Sequence, residues 1–473
     1  MMKFVVRVMR SVILKTVYTY LSEMKSLISL LSVTIIALQF AAAQSVPKRL
    51  SLNESLELAL ANNNQIKKNK LDRQALERKV KEARSGALPD VNMGVNFDWY
   101  PLLPTQILPG EPFGRGRDTY FPVQFGQPFQ LSGTMTVEYP LLNEAARRQS
   151  PALDVTRGIS DLMLVRSREE VIFNTATVYY QALQTEQLLR AVNANIDKLD
   201  ALRGMAELQL ANGFAIPTDV KRIRVARTNL ETQRQNLLAA IGGLRQTLQF
   251  YCGIPYEEPL DLVNDSEQPA ADSLRWLAVR LEEESITEFR LLANQMELTR
   301  IQRRAAHAES FPTVHLYGAA AAQSFQPDIS FFSPDRQWYG MAAAGVKLKM
   351  PLLDGFRVHN KAMGLRIEEQ KLDEDRRQLA AGKKLEYSVA RTQLVNALQA
   401  LRTQSDNVAL AQEITDKLLL QYKEGVASLT DLLNAQTALS EAVTNYWQQA
   451  FGYKLSVLKL LKGAGKLEEL LNN

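Results

Sequence analysis

Residues 91–100 read Val-Asn-Met-Gly-Val-Asn-Phe-Asp-Trp-Tyr. Apolar and polar residues exchange at every step, the period of a strand with one apolar and one polar face. Further along, Leu131, Met135, Val137 and Tyr139 alternate with Ser132, Thr134, Thr136 and Glu138. Val346, Leu348 and Met350 alternate with Gly345, Lys347 and Lys349; Val314, Leu316, Gly318 and Ala320 alternate less cleanly with His315, Tyr317, Ala319 and Ala321. The pattern predicts strands at 90–100, 130–139, 313–322 and 342–350. About ten residues of alternating polarity is what a transmembrane β-barrel strand needs. Trp99, Tyr100, Tyr139, Trp338 and Tyr339 gather at strand ends, as an interfacial girdle would. An ordinary hairpin with one wet face carries the same alternation. Four such strands do not close a barrel, but three copies of the chain supply twelve and leave no edge.

Two loops join these strands in pairs. The first, 101–129, is full of Pro and Gly and fits a long extracellular excursion; the second is 323–339.

Outside the strands the composition is helical. Residues 52–86 and 274–310 are rich in Leu, Ala, Glu, Arg, Gln and Lys, and each stretch stops just before a proline, Pro89 or Pro312. Residues 143–212 and 354–424 are helical too, ending at Gly213 and Gly425, which suit a left-handed turn. New helices start near Thr218 and Thr430, with Asp219 and Asp431 in their first turns. A helix of about 70 residues spans roughly 105 Å, and one of about 35 spans half that. Two short helices end to end therefore match one long one, giving an elongated rod. Leu189, Val192, Ile196, Leu199, Leu202 and Ala206 step by three or four, as in a coiled coil. The last helix carries two such seams, Leu432-Ala435-Leu439-Ala442-Tyr446 and Val443-Trp447-Ala450. Two seams suit a cylinder of helices, and equally the core of any helical bundle.

The chain repeats itself once. Pro140-Leu141-Leu142-Asn143 recurs as Pro351-Leu352-Leu353-Asp354 at an offset of 211. Gly213 to Val220 recurs as Gly425 to Leu432 at 212, and Leu88-Pro89-Asp90-Val91 as Phe311-Pro312-Thr313-Val314 at 223. The halves run from about 50 to 255 and about 273 to 465 within one unit, 44–473.

Residues 1–43 have the parts of a cleaved secretory signal peptide: Lys25, an apolar run from Leu27 to Phe40, and Ala41-Ala42-Ala43 before Gln44. The true start is open between Met1 and Met24. This leader holds +4 of the net charge of +5, so the remainder offers no basic footprint for nucleic acid. After Ala43 no stretch of 18 apolar residues occurs, so membrane insertion requires a closed β-barrel. One cysteine and three histidines leave little for a disulfide framework or a metal centre, and no cofactor is expected.

With the duplicated half, the recurring Pro-Leu-Leu and the two Gly-x5-Asp hairpins, the sequence from about Leu50 to Leu461 resembles the TolC-like family of outer-membrane efflux channels. The resemblance implies a mainly helical chain whose four strands join those of two further copies in a twelve-stranded transmembrane barrel, continued by a periplasmic tube. It implies a homotrimer in outer-membrane lipid, acting as a passive exit duct with a periplasmic adaptor and an inner-membrane pump. It makes Gly213, Thr218, Asp219, Gly425 and Thr430 the adaptor-contacting tips. It puts Tyr422 at an aromatic gate position and Asp431 in an acidic ring, with Asn434 and Ala427 where the family's best-known member has an acid and a basic gate residue. A steric or hydrogen-bonded closure is then expected in place of an ionic latch. Asp431 and Asn434 also share one helical face by their spacing, and threefold symmetry would gather three copies of Asp431 around one axis. Asp431 equally suits a helix N-terminus, and the two roles are compatible. In the barrel, Lys347 and Lys349 balance Asp98 and Glu138 as lumen candidates.

An enzyme is disfavoured. His307, His315 and His359 fall in no catalytic motif, and Gly463-Ala-Gly465-Lys466 lacks the spacing of a phosphate loop. Cys252 reads as a packed free thiol. A periplasmic coiled-coil adaptor is the alternative, but its β domains should show several short strands, not two membrane-height pairs between long helices. The exported substrate, the identity of pump and adaptor, the resting gate and the ion selectivity are not written in the sequence.

Overall fold

The computed structural model describes residues 48–109, 114, 116, 120–213, 216–263 and 273–472, so the leader expected at 1–43 lies outside the described residues. The chain begins with β1 (Lys48–Leu50), α1 (Leu52–Asn62) and α2 (Asn64–Ser85). Strands β2 (Asp90–Trp99), β3 (Thr105–Pro109), β4 (Tyr120–Gln124) and β5 (Phe129–Leu142) follow. Next come α3 (Glu144–Gln149), α4 (Pro151–Ala211), α5 (Pro217–Cys252) and β6 (Leu260–Leu262). The second half holds α6 (Ser273–Leu277), α7 (Thr287–Ala308), β7 (Thr313–Gln326), β8 (Tyr339–Lys349), α8 (Arg357–Lys423) and α9 (Leu429–Ala464). A 3₁₀ segment, Leu467–Asn472, ends it.

Three expected helices are interrupted, each for a local reason. The stretch 52–86 divides at Asn63, whose side chain accepts from Gln65 N at 2.9 Å and caps α2. The stretch 143–212 divides at Ser150-Pro151, because proline has no N–H to continue α3. In 274–310 the helix proper starts only at Thr287, after a 3₁₀ turn at Glu283–Ser285. The recurring Pro-Leu-Leu-Asn/Asp ends in a helix cap both times: Asn143 Oδ1 accepts from Ala146 N at 3.0 Å, and Asp354 Oδ2 from Val358 N at 3.0 Å.

The helices form a rod. The long α4 and α8 run its length, roughly 90 and 100 Å at 1.5 Å per residue. Towards the sheet the packing order is α2–α4–α7–α8; towards the hairpin tips it is α5–α4–α9–α8. So α5 and α2 stand end to end along α4, and α9 and α7 along α8, as the lengths require. At each junction a glycine closes a helix in the left-handed region, Gly253 after α5 (φ 65°) and Gly465 after α9 (φ 70°). Both are pressed against the next element. A Cβ on Gly253 would lie 2.7 Å from Asn62 Cβ, and one on Gly465 2.8 Å from Ser285 O.

The main core sits at this mid-height. Leu56, Ile172, Leu183, Leu248, Cys252, Tyr453, Leu458 and Leu461 are buried there, with Trp276 and Leu470 over them. A parallel pair of three-residue strands, β1 with β6, belts the same level, and Tyr179 Oη donates to Val263 O at 2.6 Å beside it. A second core, at the tips, contains Leu199, Leu202, Ala206, Val220, Ile223, Tyr422, Leu429 and Leu432. Between the two, Asn195 Nδ2 donates to Ser440 Oγ at 3.0 Å and Gln436 Nε2 donates to Asn195 Oδ1 at 2.8 Å, fixing α4 against α9.

At the other end of the rod the four long strands form one antiparallel sheet in the order β2-β5-β7-β8. β5 and β7 reach 14 residues each, longer than the alternation indicated. The loop 101–129 holds a hairpin of its own, β3 with β4.

Candidate functional site

Register fixes the faces of the sheet, because residues paired across antiparallel strands point the same way. Asp90 pairs with Glu138, Glu138 with Tyr317, and Tyr317 with Gly345. By this alternation one face carries Asp90, Asn92, Asn96 and Asp98 of β2 and Gln130, Ser132, Thr134, Thr136 and Glu138 of β5. The same face holds His315 and Gln323 of β7 and Lys347 and Lys349 of β8. The candidates Asp98, Glu138, Lys347 and Lys349 therefore lie on one surface. Glu138 has a neighbour there that the alternation did not single out: His315 Nδ1 is 3.3 Å from its Oε1, without a hydrogen bond between them.

The opposite face has no charged residue among these strands. Val91, Met93, Val95, Phe97 and Trp99 of β2 share it with Leu131, Met135 and Val137 of β5 and with Val346 and Leu348 of β8. Met93 is 78% exposed and Leu348 67%, although nothing polar surrounds them on that side. Such an apolar face is too large for single stray surface residues. At the end away from the helices it carries stacked rings: Phe97 and Trp99 on Phe129, with Phe331 edge-on to Phe97 at 5.9 Å. In the neighbouring loop, Asp328 is held below the usual carboxylate range by hydrogen bonds from Ser330 and by Arg336. No described helix is long and apolar enough to cross a membrane.

Where sheet meets rod, charged side chains form a collar. Arg147 and Arg148 bond Glu144 at 2.7 Å and hold its carboxyl at about 2. Glu309 takes Arg357 at 2.7 Å and Lys361 at 2.5 Å, joining α7 to α8.

The far end carries the two hairpins. Gly213 (φ 79°) and Gly425 (φ 77°) adopt the left-handed turn, with open space around each. Gln421 O accepts from Val426 N and Ala427 N, and Ser428 caps α9 by accepting from Asp431 N at 3.2 Å. Ser428 Oγ in turn donates to Asp431 Oδ2 at 2.6 Å, so Asp431 takes part in capping. Its carboxylate and Asn434 are nonetheless exposed on one face of α9, beside Thr430. Thr218 is exposed, and Asp219 is half-buried.

Tyr422 stands near the end of α8. It is 7% exposed, its ring packed among Leu199, Leu202, Val220, Leu429 and Leu432. Burial and the nearby Asp219 push its phenol up. Arg222, which no motif marked, reaches from the first hairpin to the second, donating to Thr430 Oγ1 at 2.8 Å. Above the tips a groove of about 340 Å³ opens between α4, α8 and α9, lined by Lys198, Leu202, Met205, Thr415, Leu419 and Gln436. No group of His, Cys, Asp and Glu able to hold a metal occurs among the described residues.

Against known proteins, the description "outer membrane efflux protein" belongs to the family whose sequence model matches residues 55–249 and 287–465. The chain is 21% identical over 449 residues to outer membrane protein TolC of Escherichia coli (strain K12), covering 92% of this chain and 86% of that one. It is 22% identical over 468 residues to the proteases secretion protein PrtF of Dickeya chrysanthemi, covering 93% of each. Among solved structures, the outer membrane protein VceC of Vibrio cholerae superposes with a TM-score of 0.68 at 15% identity, over 88% of this chain and 96% of that one. The MtrE outer membrane channel of Neisseria gonorrhoeae gives 0.67 at 15%, over 88% and 89%.

Proposed function

Because this chain belongs to the outer membrane efflux protein family, we propose that it is the outer-membrane exit duct of a tripartite efflux or type I secretion system, conducting substrates passively across periplasm and outer membrane. A four-stranded sheet stands at a single end of a rod of helices, with one uncharged face and one face that holds all the charged residues of its strands, and this carries the reading. An uncharged face suits lipid, and a polar face suits a water-filled bore. Three copies would close these strands into a barrel of twelve, removing both open edges. The helices α5 and α2 on one flank and α8 on the other would then meet those of the neighbours and continue the wall as a tube.

In this reading the hairpins at Gly213–Asp219 and Gly425–Asp431 are the periplasmic tips. The groove beside Leu202 and Leu419 favours an adaptor helix lying against them, because it is apolar at its floor and charged at its rim. Asp431 and Asn434 are the proposed constriction. Tyr422 contributes by holding the two hairpins together, since its ring is buried between them. Closure is then hydrogen-bonded and steric, with the Arg222–Thr430 contact as one of its links.

The test is purification from the outer membrane in detergent, mass measurement, and reconstitution in a planar bilayer. A trimer that forms ion-conducting pores is expected, and it should co-purify with an adaptor and an inner-membrane pump. A monomer from the soluble periplasm without pore activity would reject the reading.

A further inference from the structure

The sheet ends in two open edges, β2 and β8. β2 leaves the helical rod and β8 returns to it, so the edges are antiparallel. Joining β8 of one copy to β2 of the next continues the ladder and keeps every helix on one side of the membrane. Antiparallel pairing of β2 with another β2, or β8 with another β8, would turn the second copy's helices to the opposite side. The seam is therefore head-to-tail, the arrangement that closes into a ring.

Resting on the barrel reading above, we propose that the register of this seam is set by an ion pair between Lys349 of one copy and Asp90 of the next, on the polar face at the helical end of the sheet. Asp90 is the first residue of β2 and Lys349 the last of β8, so both stand at that end. Only every second register is open to the seam, because a slip of one residue would turn the polar set towards lipid. Aligning the strand ends within that restriction puts Lys349 opposite Asp90, or opposite Asn92 with Asp90 on the diagonal. Both placements lie within reach of a lysine side chain.

Within one copy the two groups are available. Lys349 and Lys347 have no ion pair among the described residues, and Asp90 accepts only from Asn92 Nδ2, at 3.0 Å. The other acid at this end, Glu138, has His315 beside it. Edge β8 thus presents two cations where edge β2 presents one acid. At the outer end the complement is missing: β8 offers Tyr339 and Met341 on this face to Asp98. Charge matches at one end only, and that asymmetry holds Lys349 beside Asp90 in either of the two placements.

The experiment is disulfide trapping in the full-length protein in outer membranes. Asp90→Cys combined with Lys349→Cys, or Asn92→Cys combined with Lys349→Cys, should give covalent dimer and trimer bands on oxidation. Each single variant should give none, since Cys252 is buried. A trimer by mass that cross-links from neither pair overturns the proposal while leaving the channel reading intact. A monomer by mass overturns both. Charge exchange is the second arm. Asp90→Lys should lower the temperature at which the trimer dissociates in dodecyl sulfate, and adding Lys349→Asp should restore it. Failure of the second change to restore it also overturns the ion pair.

Discussion

Arg222 on α5 donates through Nη1 to Thr430 Oγ1 on α9 at 2.8 Å, although these helices belong to different hairpins and each packs mainly on a long helix. The contact ties the tip of the first repeat to the tip of the second. A single exposed hydrogen bond from a charged donor contributes about 1 kcal/mol. Arg222→Ala removes the contact from each of three copies and should therefore raise the open fraction of channels in a planar bilayer at least about fivefold. Trimer yield should not change, and an unaltered open fraction would remove Arg222 from the closure.

Asp431 serves a cap and is proposed to serve a ring, and two variants separate the roles. Ser428→Ala removes the hydroxyl that accepts from Asp431 N and should cost about 1 kcal/mol of helix-end stability without changing ion preference. Asp431→Ala should lower the preference for cations over anions, read as a shift in reversal potential across a salt gradient. Equal reversal potentials for wild type and Asp431→Ala would reject the ring.

Tyr422→Ala leaves a hole in the tip core. Loss of an aromatic ring from a buried site costs about 3 kcal/mol. The effect should stay local, because the tip core is separate from the core at mid-height. Amide exchange should accelerate around Val220 and Leu432 and remain slow around Leu183 and Leu458. Uniform acceleration would show that the two cores unfold together.

At mid-height, Lys383 is 9% exposed and bonds Glu288 at 3.0 Å and Glu386 at 3.2 Å. Burial alone would lower the Lys383 pKa, but the two carboxylates outweigh it and the net shift is upward. Burial likewise acts to raise Glu288, and Lys383 reverses it, leaving Glu288 below the usual carboxylate range. Its contribution to stability is present above the ordinary value of 4.5 and is lost as pH falls through the lower folded value. Nearby Glu169 is raised, chiefly by burial, with its Thr287 hydrogen bond opposing. Its contribution is present below 4.5 and is lost as pH rises through the higher folded value. Lys383→Met should cost about 2 kcal/mol at neutral pH, since it leaves partly buried acids unpaired. The loss should shrink in acid, as measured by thermal unfolding from pH 4 to pH 7.

Gly465→Ala should destabilise more than Gly425→Ala. Both residues have positive φ, which costs an alanine about 1 kcal/mol. Only at Gly465 does the new Cβ also meet backbone, at Ser285 O and Ile286 Cα. Comparing the melting temperatures of the two variants tests this, and equal values would mean that α7 gives way freely.

The period of two in residues 91–99 and 131–139 was enough to locate the strands, because one face is apolar at nearly every second residue. Gly213 and Gly425 marked the hairpins for an equally direct reason, the need for a left-handed turn. Helix interruptions were harder. Asn63 and Ser150-Pro151 sit within long helix-forming stretches, and composition averages over one residue. β1 and β6 leave no mark in the pattern, because three residues show no period. Gly253 and Gly465 stand 212 residues apart, the same offset as Gly213 and Gly425, so the repeat contained that signal. Arg222 and His315 gave none, since each matters through a partner far away in sequence. Tyr422 shows the reverse: a motif position fixed where it lies, but not that its ring turns into a packed core.

In the proposed trimer, each exported copy would spend time alone before it meets two others. During that interval β2 and β8 offer rows of unsatisfied amides and carbonyls, next to side chains such as Met93 and Leu348 that water does not favour. Such a strand pair is sticky towards any extended polypeptide nearby. The rod can fold first, since its two cores are internal to one chain. The strands should then form last, together with insertion, and a holding chaperone that shields them until that moment would decide how many copies survive export.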